Sequence, residues 1–208
     1  MITELFERAA RAVSYDSERD FYARYNPSIA EKINQPLYRP MRQIDLNPIL
    51  EIESRVYDFP WSKKTLRDCM EISHYDCVVC EQGETIVSYG VVSSGAGEAH
   101  IMNLVVSPDF QGQGHGRSML DQLIELANCQ RTKTILLEVR PSNESAIKLY
   151  LAMGFNEVGS RKEYYPGKKG REDALILALE LFDDETEEIN QTGETEDEQE
   201  KTTEQTTN

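Results

Sequence analysis

The sequence predicts an α/β domain in which a central, mixed, twisted sheet is flanked by helices in three layers. Three observations carry this. Short apolar, β-branched runs alternate with segments whose apolar residues recur at helical spacing. One such run, ending at Val106, passes through three alternating glycines directly into a helical pattern. The 208 residues allow one domain of ordinary size with a real core plus appendages, not two full domains.

Taken in order, Met41 to Ile44 suits a first strand. Leu46 to Val56 and Ser62 to Met70 read as helices, with Ser62 placed to cap the second through its hydroxyl. Asp76 to Glu81 and Thr85 to Val92 follow as strands, joined by a hairpin turn at Gln82-Gly83-Glu84. His100 to Val106 is the strand that leads into the glycines. Beyond them, Met119, Leu120, Leu123, Ile124 and Ala127 share one face of a helix that can cover the sheet. Thr134 to Val139 is a strand, Ser142 or Asn143 caps a helix running through Ala152, and Gly154 stops it in a left-handed turn. Asp173 to Leu181 supplies a last strand.

Two appendages flank this domain, assigned to residues 41–181. Within residues 1–40, Ile2, Leu5, Phe6, Ala9, Ala10 and Val13 fall on one helical face, so a docked helix is expected, as a structural addition or a partner-binding arm. Residues 182–208 hold 11 acids and one lysine. Their apolar content is too low to offset the entropy of ordering, and a disordered tail is expected, as a solubilising appendage or an attractor of a basic partner.

The net charge of −15 resides mostly in that tail, and the domain itself is mildly acidic. No basic stripe of the kind a nucleic-acid binder presents is visible. No apolar run approaches the ~20 residues of a membrane span, and the stretch containing Glu4, Glu7, Asp16 and Glu18 lacks the apolar core of a secretory signal. A cytoplasmic protein with reduced thiols at Cys69, Cys77, Cys80 and Cys129 is therefore expected. Cys77 and Cys80 stand three apart in a strand and so face opposite sides of the sheet, as core thiols rather than a metal knuckle. No metal-ligand spacing appears, and His74, His100 and His115 have no sequence partner that would give them a catalytic role.

Gln111 to Arg117, Q-G-Q-G-H-G-R, follows a strand and opens a helix. Without a Cβ, Gly112, Gly114 and Gly116 can bend the chain and aim successive backbone N–H groups, including those of Gln113 and His115, into one concavity at a helix N-terminus. Such a cradle holds a phosphate without a lysine. A Walker loop ending on Ser118 would need glycine at 111 and Gly-Lys at 116 and 117, where the chain has Gln111 and Gly116-Arg117. The spacing of the dinucleotide fingerprint is also absent.

Glu138 is a lone carboxylate in the apolar strand Thr134-Ile135-Leu136-Leu137-Glu138-Val139. A charge there is costly unless it is paired or faces a polar cleft. Alternation puts Arg140 on the same face, so pairing and chemistry are both open. Tyr150, between Leu149 and Leu151, reads by itself as a core aromatic.

The pattern Gln111-x-x-Gly114-x-Gly116 resembles the coenzyme-A loop of the GNAT superfamily, and the likeness extends from about Met41 to Leu181. Phe59-Pro60-Trp61-Ser62, Asn103-Leu104-Val105-Val106, Leu137-Glu138-Val139-Arg140, Ser142-Asn143, Leu149-Tyr150, Gly154-Phe155, Tyr164-Tyr165-Pro166 and Gly170-Arg171-Glu172-Asp173-Ala174 are similar to the RimI-type ribosomal-protein-alanine N-acetyltransferases. The resemblance implies the GNAT acyl-CoA N-acyltransferase fold, acetyl-CoA as acetyl donor, no metal, and a protein N-terminus as acceptor, the N-terminal alanine of a basic small-subunit ribosomal protein.

It further implies that the strand of Asn103 to Val106 splays from its neighbour, so that backbone groups of Leu104, Val105 and Val106 hold the pantetheine arm. Gln111, Gly112, Gln113, Gly114, His115, Gly116 and Arg117 would grip the pyrophosphate, and Asn143 would contact the cofactor. Glu138 matches the family's general base and Tyr150 its general acid, while Phe59, Trp61, Tyr164 and Tyr165 would line the acceptor groove. Gly112 departs from the pattern, since that position is often basic. A lysine side chain or small amine as acceptor, and a non-catalytic acetyl-CoA-binding regulator, are the competing readings.

Overall fold

Seven strands form one sheet in the order β1-β2-β3-β4-β5-β7-β6 in the computed structural model, which describes residues 35–168 and 170–181. The expected N-terminal helix and acidic tail lie outside the described residues. The strands are β1 (Leu37–Pro40), β2 (Tyr75–Gln82), β3 (Thr85–Gly95), β4 (Glu98–Val106), β5 (Thr134–Val139), β6 (Asn156–Gly167) and β7 (Gly170–Glu180). The helices are α1 (Leu46–Val56), α2 (Lys63–Glu71), α3 (His115–Cys129) and α4 (Glu144–Ala152). Every strand pair is antiparallel except β4 and β5, whose parallel pairing requires the α3 crossover.

Two cores cover the two faces. On one, Met119, Leu120, Leu123 and Ala127 of α3 pack with Ile135, Leu137, Val139, Tyr150 and Phe155. On the other, Leu46, Ile49 and Ile52 of α1 and Leu66 and Cys69 of α2 pack with Val79, Tyr89, Val91 and Val105. Cys80 belongs to the first core and Cys77 lies against the second, as strand alternation requires. All four thiols are free.

The caps form as expected. Ser62 accepts the Thr65 N–H at 3.1 Å, Asn143 accepts that of Ala146 at 3.2 Å, and Gly154 has φ +90°. Two strands depart from expectation. The first lies at Leu37–Pro40 rather than Met41 to Ile44, pairing with Val78 to Glu81. The Asp45 carboxylate accepts the Arg42 N–H at 2.7 Å and winds Gln43–Asp45 into a 3₁₀ turn, so these residues cannot extend. Four residues assigned to the extension thus belong to the sheet. The second departure is β6, a 12-residue edge strand not anticipated at all, with β7 starting at Gly170 instead of Asp173. Burial alternation is missing along β6, and its register shifts at Glu157/Gly159 and Arg161/Tyr165.

Candidate active site

β4 pairs with β5 only from Glu98↔Thr134 to Ile101↔Leu137. Farther along, Asn103 to Val106 stay on β3 while Glu138 and Val139 stay on β7, so the two strands part as expected. Met102 sits at the change of register between Val92↔Ile101 and Val91↔Asn103, the extra residue of a bulge that re-aims the strand. Leu104, Val105 and Val106 then line a cavity of about 800 Å³.

The glycine turn lines the same cavity through Gln111, Gly112, Gly114, Gly116 and Arg117, as does Asn143. Gly112 (φ +73°) and Gly114 (φ +89°) hold left-handed conformations, and a Cβ at either would project into open space. Gly116 does not make the bend. It is the second residue of α3, and a Cβ there would stand 3.4 Å from Leu149 Cδ2, so its role is close packing of the helix start. The first N–H groups of α3 lack intrahelical acceptors, and this open cradle suits the pyrophosphate of coenzyme A. The side chain of Gln113 turns back to donate to the Asp109 carbonyl at 3.2 Å, and His115 is buried edge-on to Phe110; neither is among the lining residues.

Glu138 and Tyr150 do not line the cavity either. The Glu138 side chain is 17% exposed, and its carboxylate lies 3.3 Å from the Arg161 guanidinium of β6, which is 51% exposed. The pairing considered with Arg140 does not form. Arg140 instead donates to Glu172 and to the Pro166 carbonyl, each at 3.1 Å, and stacks over Tyr165 at 4.3 Å. Tyr165 donates to the backbone carbonyl of Glu138 at 2.9 Å. Tyr150 is buried against Phe155, and burial raises its hydroxyl to about 12. Burial likewise pushes Tyr57 and Tyr165 up, with Glu53 and Glu138 as nearby charges adding to the respective shifts. Phe59 lines the cavity; Trp61 packs beneath α1 and α2, and Tyr164 and Tyr165 stand off the cavity wall.

A polar network missed in the sequence lies behind Tyr57 of the cavity lining. Glu53 on α1 is fully buried and accepts from the Tyr89 hydroxyl, from the Trp61 N–H at 2.5 Å and from Asn103 at 3.3 Å. Asn103 also donates to the Tyr89 oxygen at 2.8 Å. Tyr57, a cavity residue, donates to the Asn103 side-chain oxygen Oδ1 at 3.4 Å. Glu53 follows Ile49 by four residues on the buried stripe of α1, so the pattern marks its position as buried without indicating its partners.

Two ion pairs complete the lining. Glu172 accepts from Ser142 N at 2.9 Å and from Arg140, and these hydrogen bonds hold its carboxyl below the usual range. On the same lining, Lys168 Nζ meets Asp58 Oδ1 at 2.7 Å. Among the described residues no group of three or more His, Cys, Asp or Glu could hold a metal ion, and no helix is long and apolar enough to cross a membrane. The cavity joins an anion cradle to a parted sheet, while the Glu138 carboxylate and the buried Tyr150 phenol stand outside its lining.

A family model described as the acetyltransferase (GNAT) family matches residues 46–155. Ribosomal protein bS18-alanine N-acetyltransferase of Escherichia coli (strain K12) is 39% identical over 137 residues, 66% of this chain and 92% of that protein. The protein of the same name from Haemophilus ducreyi is 39% identical over 138 residues, 66% of this chain and 94% of that one. The crystal structure of the ribosomal-protein-S18-alanine N-acetyltransferase from Escherichia coli aligns with a TM-score of 0.66 at 36% identity, covering 72% of this chain and 97% of that chain. The fold is also that of yncA from Salmonella typhimurium, solved with acetyl-CoA, with a TM-score of 0.63 at 18% identity over 72% of this chain and 95% of that chain.

Proposed function

Because the chain belongs to the GNAT acetyltransferase family, we propose that this acetyl-CoA-dependent N-acetyltransferase acetylates a protein N-terminus, with the N-terminal alanine of ribosomal protein bS18 as acceptor. The observation that carries the reading is one cavity lined both by an anion-binding glycine turn and by the backbone of a parted strand. The glycine turn, the parted strand β4 and the residues Tyr57, Asp58, Phe59 and Lys168 all line it. The relatives supply the identity of the acceptor.

Acetyl-CoA supplies an activated acyl group and a thiolate leaving group. Backbone groups of Leu104, Val105 and Val106 hold its arm. Gln111, Gly112, Gln113, Gly114, His115, Gly116 and Arg117 hold its pyrophosphate, and Asn143 adds a contact at the start of α4. An α-amino group has a pKa of ~7.7–8.0 and is largely protonated at neutral pH. Glu138, directly or through a water, takes its proton as nitrogen attacks the thioester carbonyl. The incoming ammonium replaces the half-exposed Arg161 as partner of the carboxylate. Tyr150, which keeps its proton up to about 12, donates a hydrogen bond to the departing sulfur.

The test is intact-mass analysis of matched peptides incubated with the protein and acetyl-CoA. A peptide beginning with the alanine of bS18 should gain one acetyl group. The same peptide with a blocked N-terminus and a free lysine should gain none, and acetylation of that second peptide would move the activity to lysine side chains.

A further inference from the structure

Asp58 lies in the loop after α1, between two other cavity residues, Tyr57 and Phe59, and Lys168 lies in the turn joining β6 to β7. Both residues line the cavity, and their ion pair is 2.7 Å long. The Lys168 side chain is 74% exposed and that of Asp58 59%. A pair so wet is worth roughly 0–1 kcal/mol, and a cation arriving from solution can exchange for the lysine at little cost. The other acid on the cavity wall, Glu172, is differently placed. Both of its oxygens are committed, to Ser142 N and to Arg140, and the Arg140 side chain is itself clamped by Tyr165 and the Pro166 carbonyl.

Resting on the reading of an amine acceptor in this cavity, we propose that Asp58 is a specificity-determining residue that recognises a positively charged side chain near the reactive amine, and that Lys168 is its intramolecular competitor. The residues that follow the reactive amine then lie along the cavity wall, on which Asp58 is the acid held only by an exposed lysine. The acceptor's own lysine or arginine takes the place of the Lys168 ammonium on the Asp58 carboxylate. The substrate class is thus a polypeptide whose N-terminal segment is basic, with the selectivity falling as salt screens the pair.

The experiment compares two peptides identical except for lysine or norleucine at the third residue, assayed with the full chain and saturating acetyl-CoA. The expected ratio of kcat/KM, lysine peptide over norleucine peptide, is roughly two- to fivefold in the unmodified protein. In Asp58→Asn the ratio falls toward one, through KM for the lysine peptide; in Lys168→Met it rises. Lys64→Met, at a surface pair on α2 (Lys64–Asp68), leaves it unmoved. A ratio unchanged in Asp58→Asn, or lowered in Lys168→Met, would overturn the proposal while leaving N-terminal acetylation standing. No turnover on either peptide would overturn the N-terminal reading itself, and the proposal with it.

Discussion

The Glu138 carboxylate on β5 lies 3.3 Å from the Arg161 guanidinium on β6, bridging the strand beside the parted sheet to the outermost strand of that sheet. Removing the carboxylate's basicity while keeping its shape should therefore isolate proton removal. Glu138→Gln is expected to lower kcat/KM by about 10²–10⁴-fold, with acetyl-CoA affinity unchanged. Arg161→Gln is expected to lower the acceptor KM a few-fold, because the amine no longer displaces a guanidinium. Steady-state kinetics with both substrates varied checks both, and unchanged rates in Glu138→Gln would remove it from the mechanism.

Tyr150→Phe should lower kcat by roughly 10-fold or more and leave the Kd for acetyl-CoA within twofold of its original value. Burial raises this hydroxyl to about 12, so it stays protonated throughout the working range. The kcat/KM profile should rise as the acceptor amine deprotonates and then hold flat to about pH 10. A fall centred near pH 8 to 9 that disappears in Tyr150→Phe would contradict this.

Acid should loosen the first strand. Burial alone would raise the Asp45 carboxyl, but the two-pronged Arg39 pair at 2.7 and 2.9 Å and the Arg42 N–H hold it below its ordinary value. A carboxyl lowered on folding stabilises fully above its unfolded value of ~3.9 and loses that contribution as pH falls through the folded one. Urea midpoints should thus drop steeply below about pH 4. Asp45→Asn should cost about 3 kcal/mol at pH 7 and flatten the drop.

Gly114→Ala forces a left-handed conformation on a residue with a Cβ, at a cost of roughly 1–2 kcal/mol, and turns the N–H cradle aside. Calorimetry should show acetyl-CoA binding weakened at least tenfold, on the order of the 1.4 kcal/mol that a decade represents. Gly116→Ala meets the Leu149 methyl at 3.4 Å and the Val106 methyl at 3.7 Å and no backbone strain, so it should bind nearly as well as the unmodified chain.

The parts of the molecule with a strong local signal were legible in the sequence. Ser62 and Asn143 announce helix starts because a short polar side chain satisfies a specific N–H, and Gly83, Gly112, Gly114 and Gly154 fall where φ turns positive. Leucines and methionine at helical spacing gave the packed face of α3. The strand β6 was illegible because both its faces meet solvent, leaving no alternation to read. Arg161, which it carries, was therefore absent from the environment deduced for Glu138, and Arg140 stood in its place. Asp58 and Lys168 are 110 positions apart and meet only because the hairpin folds over the loop after α1. Glu53 was hidden for another reason: its position on α1 is apolar by pattern, and only the tertiary arrangement of Tyr89, Asn103 and Trp61 explains a carboxylate there.

Where β4 departs from β5 after Met102, two ribbons of peptide face one another without bonding, so the domain carries a seam through its middle. An extended guest bearing amides can lie in that seam as an honorary strand and be recognised by main chain alone. The side chains along it are then free to vary while the main-chain grip on such a guest stays the same.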